Sequence, residues 1–417
     1  MGVAPAPNSA GSVHKGSPRR EFLAWIIVVA VAALLMAAVD VQAVDADSGL
    51  HIGLVVRLSA MPLDQWIAPQ WWGMWGLTGP YREHPIGILV LPLLLHKLGY
   101  PAAQAPFLAN AIYQVLSLIV IQRVAASVVS GSSARSLIWM LQLIPIAFTY
   151  RIRANHEQAV LLLFFLALWA VEKSRKDSRW IGLLMFSAAA TVLVKGLFVA
   201  WIFIGCGAWL LIVRGEGDGS PLQNIRARAI RDIHAWIGLA AALGAVVAVI
   251  ACYEFFYNRT TQESFLATYT ARQIETAASA EGLSSPSKRA RNLVFYGGRL
   301  LWFAFPGSIA VLALMRRHRN DKSSTALMRQ ALFYCVGVSI LYVLMFSLSD
   351  RHADRYIFPA YYLLAAGGMI VAIHRWDWVR RVAERWDRRD VLSPLLWIVL
   401  FSLNLASGPS GLPRIEL

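Results

Sequence analysis

Long runs of apolar residues limit what this chain can fold into. FLAWIIVVAVAALLMAAV at 22–39 is followed by runs near 104–128, 136–150, 157–172, 180–195, 197–213, 235–253, 293–315, 330–348, 356–374 and 392–407. A helix needs about 20 such residues to cross roughly 30 Å of hydrocarbon, so repeated runs of this kind describe an all-α polytopic membrane protein with about eleven crossings. Composition agrees, with 57% hydrophobic against 15% charged residues in 417. The formal charge of +15 reads as basic cytoplasmic loops, and nucleic acid is not expected as a partner. Cys206, Cys252 and Cys335 have no metal-binding or redox spacing and read as small core residues.

Residues 1–20 are rich in Pro, Gly, Ser and Ala and end in Arg19 and Arg20, the pattern of a disordered cytosolic tail ahead of one membrane domain over 21–417. Acidic residues follow the first run where a cleavage site would need small ones, so the helix is expected to be retained, with its N-terminus inside. The basic connections SGSSARS, EKSRKDSR, RGEGDGSPLQNIRARAIRD, MRRHRNDKSS and HRWDWVRRVAERWDRRD then all fall on the cytosolic side. The apolar stretch 85–98 would invert that order if it crossed. It is too short to cross, and we expect it to lie as a re-entrant or juxtamembrane helix on the outer face.

This parity puts one set of polar segments outside: the loop 40–103, RIRANHE at 151–157, VLVKG at 192–196, the loop 254–292 and SDRHADRY at 349–356. Charge at membrane depth usually faces a cavity or a partner, which points to a polar cavity at the outer leaflet. The first loop carries Asp40, Asp45 and Asp47 directly after the first run, then Arg57, then Trp66, Trp71, Trp72 and Trp75. Those tryptophans read as interfacial anchors or as a face for a lipid-linked or sugar ligand. The sequon Asn258-Arg259-Thr260 falls outside as well, a tripeptide that also arises by chance.

The order of these motifs resembles the GT-C glycosyltransferases, in particular the lipid A aminoarabinose transferases and the protein O-mannosyltransferases. The matching residues are Asp47-Ser48, Arg57, LDQW at 63–66, EHP at 83–85, KLG at 97–99, the segment from RANHE, TVLVKG and DRYIFPAYYLLAAGG, spread over roughly 21–375. Ser48 stands where that family usually has Glu, and a single Pro85 replaces a Pro pair. The resemblance implies a GT-C-type bundle with outer-face juxtamembrane helices in a bacterial inner membrane. It also implies transfer of a hexose or pentose from a polyprenyl-phosphate donor to a lipid, glycan or protein acceptor at the periplasmic face.

That chemistry needs a carboxylate to take the acceptor's proton and cations to hold the phosphate as negative charge develops on it. Asp47 or Asp45 is the expected base, with Glu157 expected to orient the acceptor or to hold the neighbourhood of Asp47. Lys195, isolated among apolar residues, leads the expected phosphate ligands, supported by Arg82, His84, Arg57 and Arg355. Trp66, Trp72, Tyr81 and Tyr356 are expected to line the substrate. No metal or cofactor is expected. A transporter or flippase, and a relative that has lost its site, are the alternative classes.

Overall fold

The computed structural model describes residues 18–39, 41, 43, 45–73, 77–213, 232–271, 285–317, 326–349, 353–387 and 391–407. Most of the expected tail, Asp40, Trp75, the loop 214–231, part of the outer loop 254–292, Asp350, Arg351 and His352 lie outside them, as does the side chain of Trp72.

Among the described residues the regular structure is helical, apart from a short antiparallel pair, β1 (Gln70–Trp72) and β2 (Thr78–Pro80), in the Trp-rich loop. Helix α1 (Pro18–Ala38) starts inside the segment expected to be tail. Past α1, α2 (Ala46–Ser59) begins where the Asp45 carboxylate caps the Ser48 amide at 2.8 Å. Helix α3 (Gly87–Lys97) is the short apolar segment, 11 residues or about 16 Å long. Its first residue abuts Leu193, near the end of a later helix that stops at Lys195, and just past its last turn Tyr100 donates to the Ala33 carbonyl near the end of α1. Both ends of α3 therefore lie at one end of the bundle, and it does not cross.

The bundle continues through α4 (Ala105–Ala125), α5 (Gly131–Leu141), α6 (Pro145–Thr149), α7 (Glu157–Ser174), α8 (Ile181–Lys195), α9 (Val199–Ile212) and α10 (Ile233–Thr261). A short α11 (Phe265–Thr270) precedes α12 (Pro286–Phe303), α13 (Gly307–Arg317), α14 (Ala326–Ser347), α15 (Phe358–Arg375), α16 (Asp377–Asp387) and α17 (Leu392–Ser407). Among the described residues, six helical stretches are long and apolar enough to cross, or seven with the pair α12 and α13, which is bent by 104°.

The difference from eleven lies in the short or charged helices α5, α6, α7 and α17 and in the joined stretch 178–212, which the apolar letters present as two crossings. The run 136–150 divides at Pro145 into α5 and α6, and 293–315 bends between α12 and α13. Helix α7 carries Glu157, Glu172 and Lys173 at its two ends. The stretch 178–212 is continuous in helical content but doubles back on itself. Trp180 packs edge-on against Trp169 at 4.8 Å and Trp209 donates to Glu172 at 2.9 Å, both at the C-terminal end of α7. Lys195 meets Glu157 at the opposite end. The reversal falls at Gly196, whose φ of +54° favours glycine.

The core sits between α4, α7, α8, α9, α14 and α15, with Leu161, Leu168, Ala188, Ile202 and Tyr361 almost wholly enclosed. Leu243, Val247, Phe255, Phe333 and Leu344 face outward, as lipid-facing surfaces require.

Candidate functional site

Five chain segments far apart in sequence meet at the end of the bundle where α1 leads into α2, α7 begins and α8 ends. Asp47, in the first turn of α2, forms an ion pair with Arg355 from the segment before α15. Asp45 is engaged twice, capping α2 and lying 3.6 Å from Arg153 in the hairpin between α6 and α7. Arg153 also stacks over Tyr150 at 4.4 Å. Ser48 is fully buried and joins the two segments, donating to Asp45 and Asn155 at 3.1 Å and accepting from the Ala154 amide.

Behind this pair of carboxylates lies a third ion pair. Lys195 donates to Glu157 at 3.1 Å, with side chains 8% and 1% exposed, and the ammonium lies 5.0 Å from the Phe198 ring. Burial of this degree makes each charge depend on the other, because either left alone would be a desolvated ion. Glu157 Oε2 has no hydrogen-bond partner among the described residues.

Next to Glu157, three imidazoles form a cluster. His156 packs edge-on against His51 at 4.5 Å and against His84 at 4.6 Å. His51 Nδ1 donates to the Ala154 carbonyl at 2.5 Å, which places the proton on that nitrogen. Burial pushes the pKa of His51, His84 and His156 below the ordinary imidazole value, and the nearby Lys195 ammonium acts in the same direction. His51 Nε2, His84 Nδ1 and His156 Nε2 lack partners among the described residues, and a small cavity lined by His51, Asn110 and Asn155 adjoins the cluster. Among the described residues no group of three or more His, Cys, Asp or Glu is arranged to hold a metal.

Arg82 reaches away from this centre, pairing with Glu263 and donating to Tyr257 at 3.1 Å and Thr268 at 3.2 Å. It thereby fixes α11 against the first loop, where the Tyr269 hydroxyl accepts from the Leu197 amide just past Gly196. A further arginine pair, Arg299 with Asp354 at 3.1 Å, holds α12 beside the segment that presents Arg355.

The structure thus gathers Asp45, Asp47, Glu157, Lys195, His84 and Arg355 of the expected residues, with Arg82 at their edge. Arg57 is exposed at the far end of α2, ten residues or about 15 Å along the helix from Asp47, and does not join them. Trp66 is buried with its indole N–H on the Leu58 carbonyl, and Tyr81 is buried edge-on against Trp71; both pack the loop. Tyr356 stacks on Phe346 at 5.5 Å beside Arg355. Arg153, His51 and His156 join the site without standing in a recognisable motif. Their signals are a charge and a His within one short hairpin and a lone His on an apolar helix.

No protein-family model matches the sequence, and no curated protein does. Solved structures match over nearly the whole chain. ArnT from Cupriavidus metallidurans in the apo state is 16% identical with a TM-score of 0.64, over 94% of this chain and 77% of that one. The same protein bound to undecaprenyl phosphate is 14% identical with a TM-score of 0.63, over 95% of this chain and 77% of that one. This protein therefore has the polytopic helical fold of ArnT.

Proposed function

We propose that this protein is a membrane glycosyltransferase that moves a sugar from a polyprenyl-phosphate donor to an envelope glycolipid, polysaccharide or protein, at the outer face of the membrane. The observation that carries this reading is the convergence, at one end of a GT-C-type bundle, of two carboxylates each held by an arginine from a distant segment: Asp47 by Arg355 and Asp45 by Arg153. That one ArnT structure was solved with undecaprenyl phosphate supports the donor class.

Asp47 is the better base of the two. Both Asp45 oxygens accept hydrogen bonds from Ser48, whereas Asp47 keeps capacity beyond its ion pair. In the proposed step the acceptor's hydroxyl proton passes to the Asp47 carboxylate as its oxygen bonds to the sugar's anomeric carbon. The bond from that carbon to the phosphate oxygen breaks, and polyprenyl phosphate leaves. Arg355 and Arg153, both partly exposed, are placed to receive the charge that develops on the phosphate, and Arg can clamp two of its oxygens at once.

Lys195 and Glu157 act from behind. Their buried pair supplies a fixed dipole next to the site, and the ammonium reaches a donor phosphate only by sharing itself with Glu157. Asp47→Asn keeps the shape and removes the base. Turnover is expected to fall at least about a hundredfold with donor affinity little changed. Steady-state kinetics with a separate donor-binding titration checks this, and full activity in Asp47→Asn with loss in Asp45→Asn would move the base two residues upstream.

A further inference from the structure

Among the described residues the two most enclosed charged side chains stand at the two ends of the hairpin that joins α6 to α7. Glu157 has Lys195 beside it, whereas Arg151, 1% exposed, pairs with no carboxylate among those residues. A buried charge is costly, and apolar packing of the same volume is often at least as stable, so what a guanidinium adds here is directed bonds. Its Nη2 donates to the Gln142 carbonyl at 2.8 Å, at the negative C-terminal end of α5, and its Nη1 reaches Asn404 Oδ1 on α17 at 3.5 Å. The guanidinium carbon lies 5.9 Å from the centre of the Phe148 ring. Asn404 also donates from Nδ2 to the Phe148 carbonyl at 3.4 Å, so it holds the hairpin through both ends of its amide. Helix α17 is itself fixed, by Trp397 donating to Gln114 on α4 at 3.0 Å and by the Ser393 carbonyl accepting from Gln142 at 3.2 Å. The root of the hairpin is thus tied to α5 and α17, which carry none of the residues of the site.

The other side of the hairpin is the site. Residues 152–156 belong to no helix, and among the described residues none of their amides donates to a backbone carbonyl; the Ala154 amide goes to the Ser48 hydroxyl. Side-chain contacts therefore set where this segment lies. On the site side those contacts are Arg153 with Asp45, Ser48 with Asn155, and His51 with the Ala154 carbonyl. To clamp a phosphate, Arg153 has to leave Asp45 or share itself with it. The contacts on the site side change during such a step, and those made by Arg151 and Asn404 do not.

We propose that Arg151 and Asn404 are positioning residues: they grip the α6–α7 hairpin from inside the bundle and keep the Arg153 guanidinium in register with the donor phosphate while its pairing with Asp45 changes. The proposal rests on the transferase reading above, and the grip itself can be read without any transfer.

The test uses the full chain in nanodiscs, with a polyprenyl-phosphate sugar as donor and an envelope extract as acceptor. Asn404→Leu keeps the volume and removes both of the amide's contacts, and Arg151→Lys keeps the charge but loses the fork that reaches two oxygens. In each variant, hydrogen exchange of residues 150–156 read by mass spectrometry is expected to rise at least about tenfold, with α10 unchanged. Turnover at saturating donor should fall at least about tenfold with donor KM within about twofold, because misplacing a group costs more in the transition state than in the bound ground state. The control Trp397→Phe breaks the bond to Gln114 on the same helix. It should lower the thermal midpoint as Asn404→Leu does, yet leave the exchange of 150–156 and the turnover within about twofold of the wild type. A loss of turnover in Trp397→Phe equal to that in Asn404→Leu overturns the proposal, because any loosening of α17 would then suffice. Unchanged exchange in both hairpin variants overturns it, as does raised exchange with unchanged turnover. A wild type that transfers no sugar overturns the transferase reading instead; raised exchange in the two variants then still supports the grip on the hairpin, and unchanged exchange overturns it.

Discussion

At the scale of residues, the chemistry depends on which charges neutralise each other. Lys195 and Glu157 form the most enclosed pair at the site, so Lys195→Met or Glu157→Gln alone leaves a buried partner exposed to its own desolvation cost, roughly 3–5 kcal/mol. The double variant Lys195→Met, Glu157→Gln should be less destabilised than the sum of the two, and a double-mutant cycle by thermal unfolding measures the coupling. Strict additivity would mean that the pair does not act as a unit. The histidine cluster sets the pH behaviour. Its members have folded pKa values below the unfolded value of about 6.5, so the unfolded state binds protons first as pH falls. Stability is fully present above about pH 6.5 and is lost below it, down to the lowered folded pKa values, by up to about 1.4 kcal/mol per pH unit for each histidine. A thermal midpoint measured from about pH 7 to 5 should fall, and His156→Gln should flatten the slope. A slope unchanged in that variant would show that the cluster does not govern acid sensitivity.

At the scale of elements, the site depends on where helices stop. Pro145 splits one expected span, Gly196 makes the turn between two others, and the Asp45 cap starts α2 so that Asp47 falls in its first turn facing Arg355. Gly196 meets two demands at once. Its φ of +54° disfavours a side chain, and the Tyr269 hydroxyl occupies the place where a Cβ would stand. Gly196→Ala is expected to cost about 1–3 kcal/mol from backbone strain, plus the displacement of α11. Pairing it with Tyr269→Ala should recover the second part and leave the first, as differential thermal unfolding can resolve. No recovery in the pair would place the whole cost in the backbone.

At the scale of the whole molecule, much of the architecture was legible because membrane crossings announce themselves by length and apolarity, and basic loops by their charge. The segment 85–98 could be kept from crossing on those grounds, and the structure puts both its ends at one end of the bundle. Breaks were less visible. A continuous apolar run does not show that 293–315 bends by 104° or that 136–150 holds two helices, because those depend on which neighbours the turns pack against. The site was legible as a list of charged helix ends and illegible as a set of pairs. Arg57 and Arg355 are both expected as phosphate ligands, but α2 carries Arg57 away from Asp47 and the fold brings Arg355 to it. The measurement that bears most directly on the central claim follows polyprenyl phosphate released from a polyprenyl-phosphate sugar by the purified protein in vesicles, with and without an envelope extract as acceptor. The account predicts release that requires the extract, transfers the sugar to a component of it, and is abolished in Asp47→Asn. Lipid that crosses the vesicle membrane with its sugar still attached, unaffected by the extract, would contradict it.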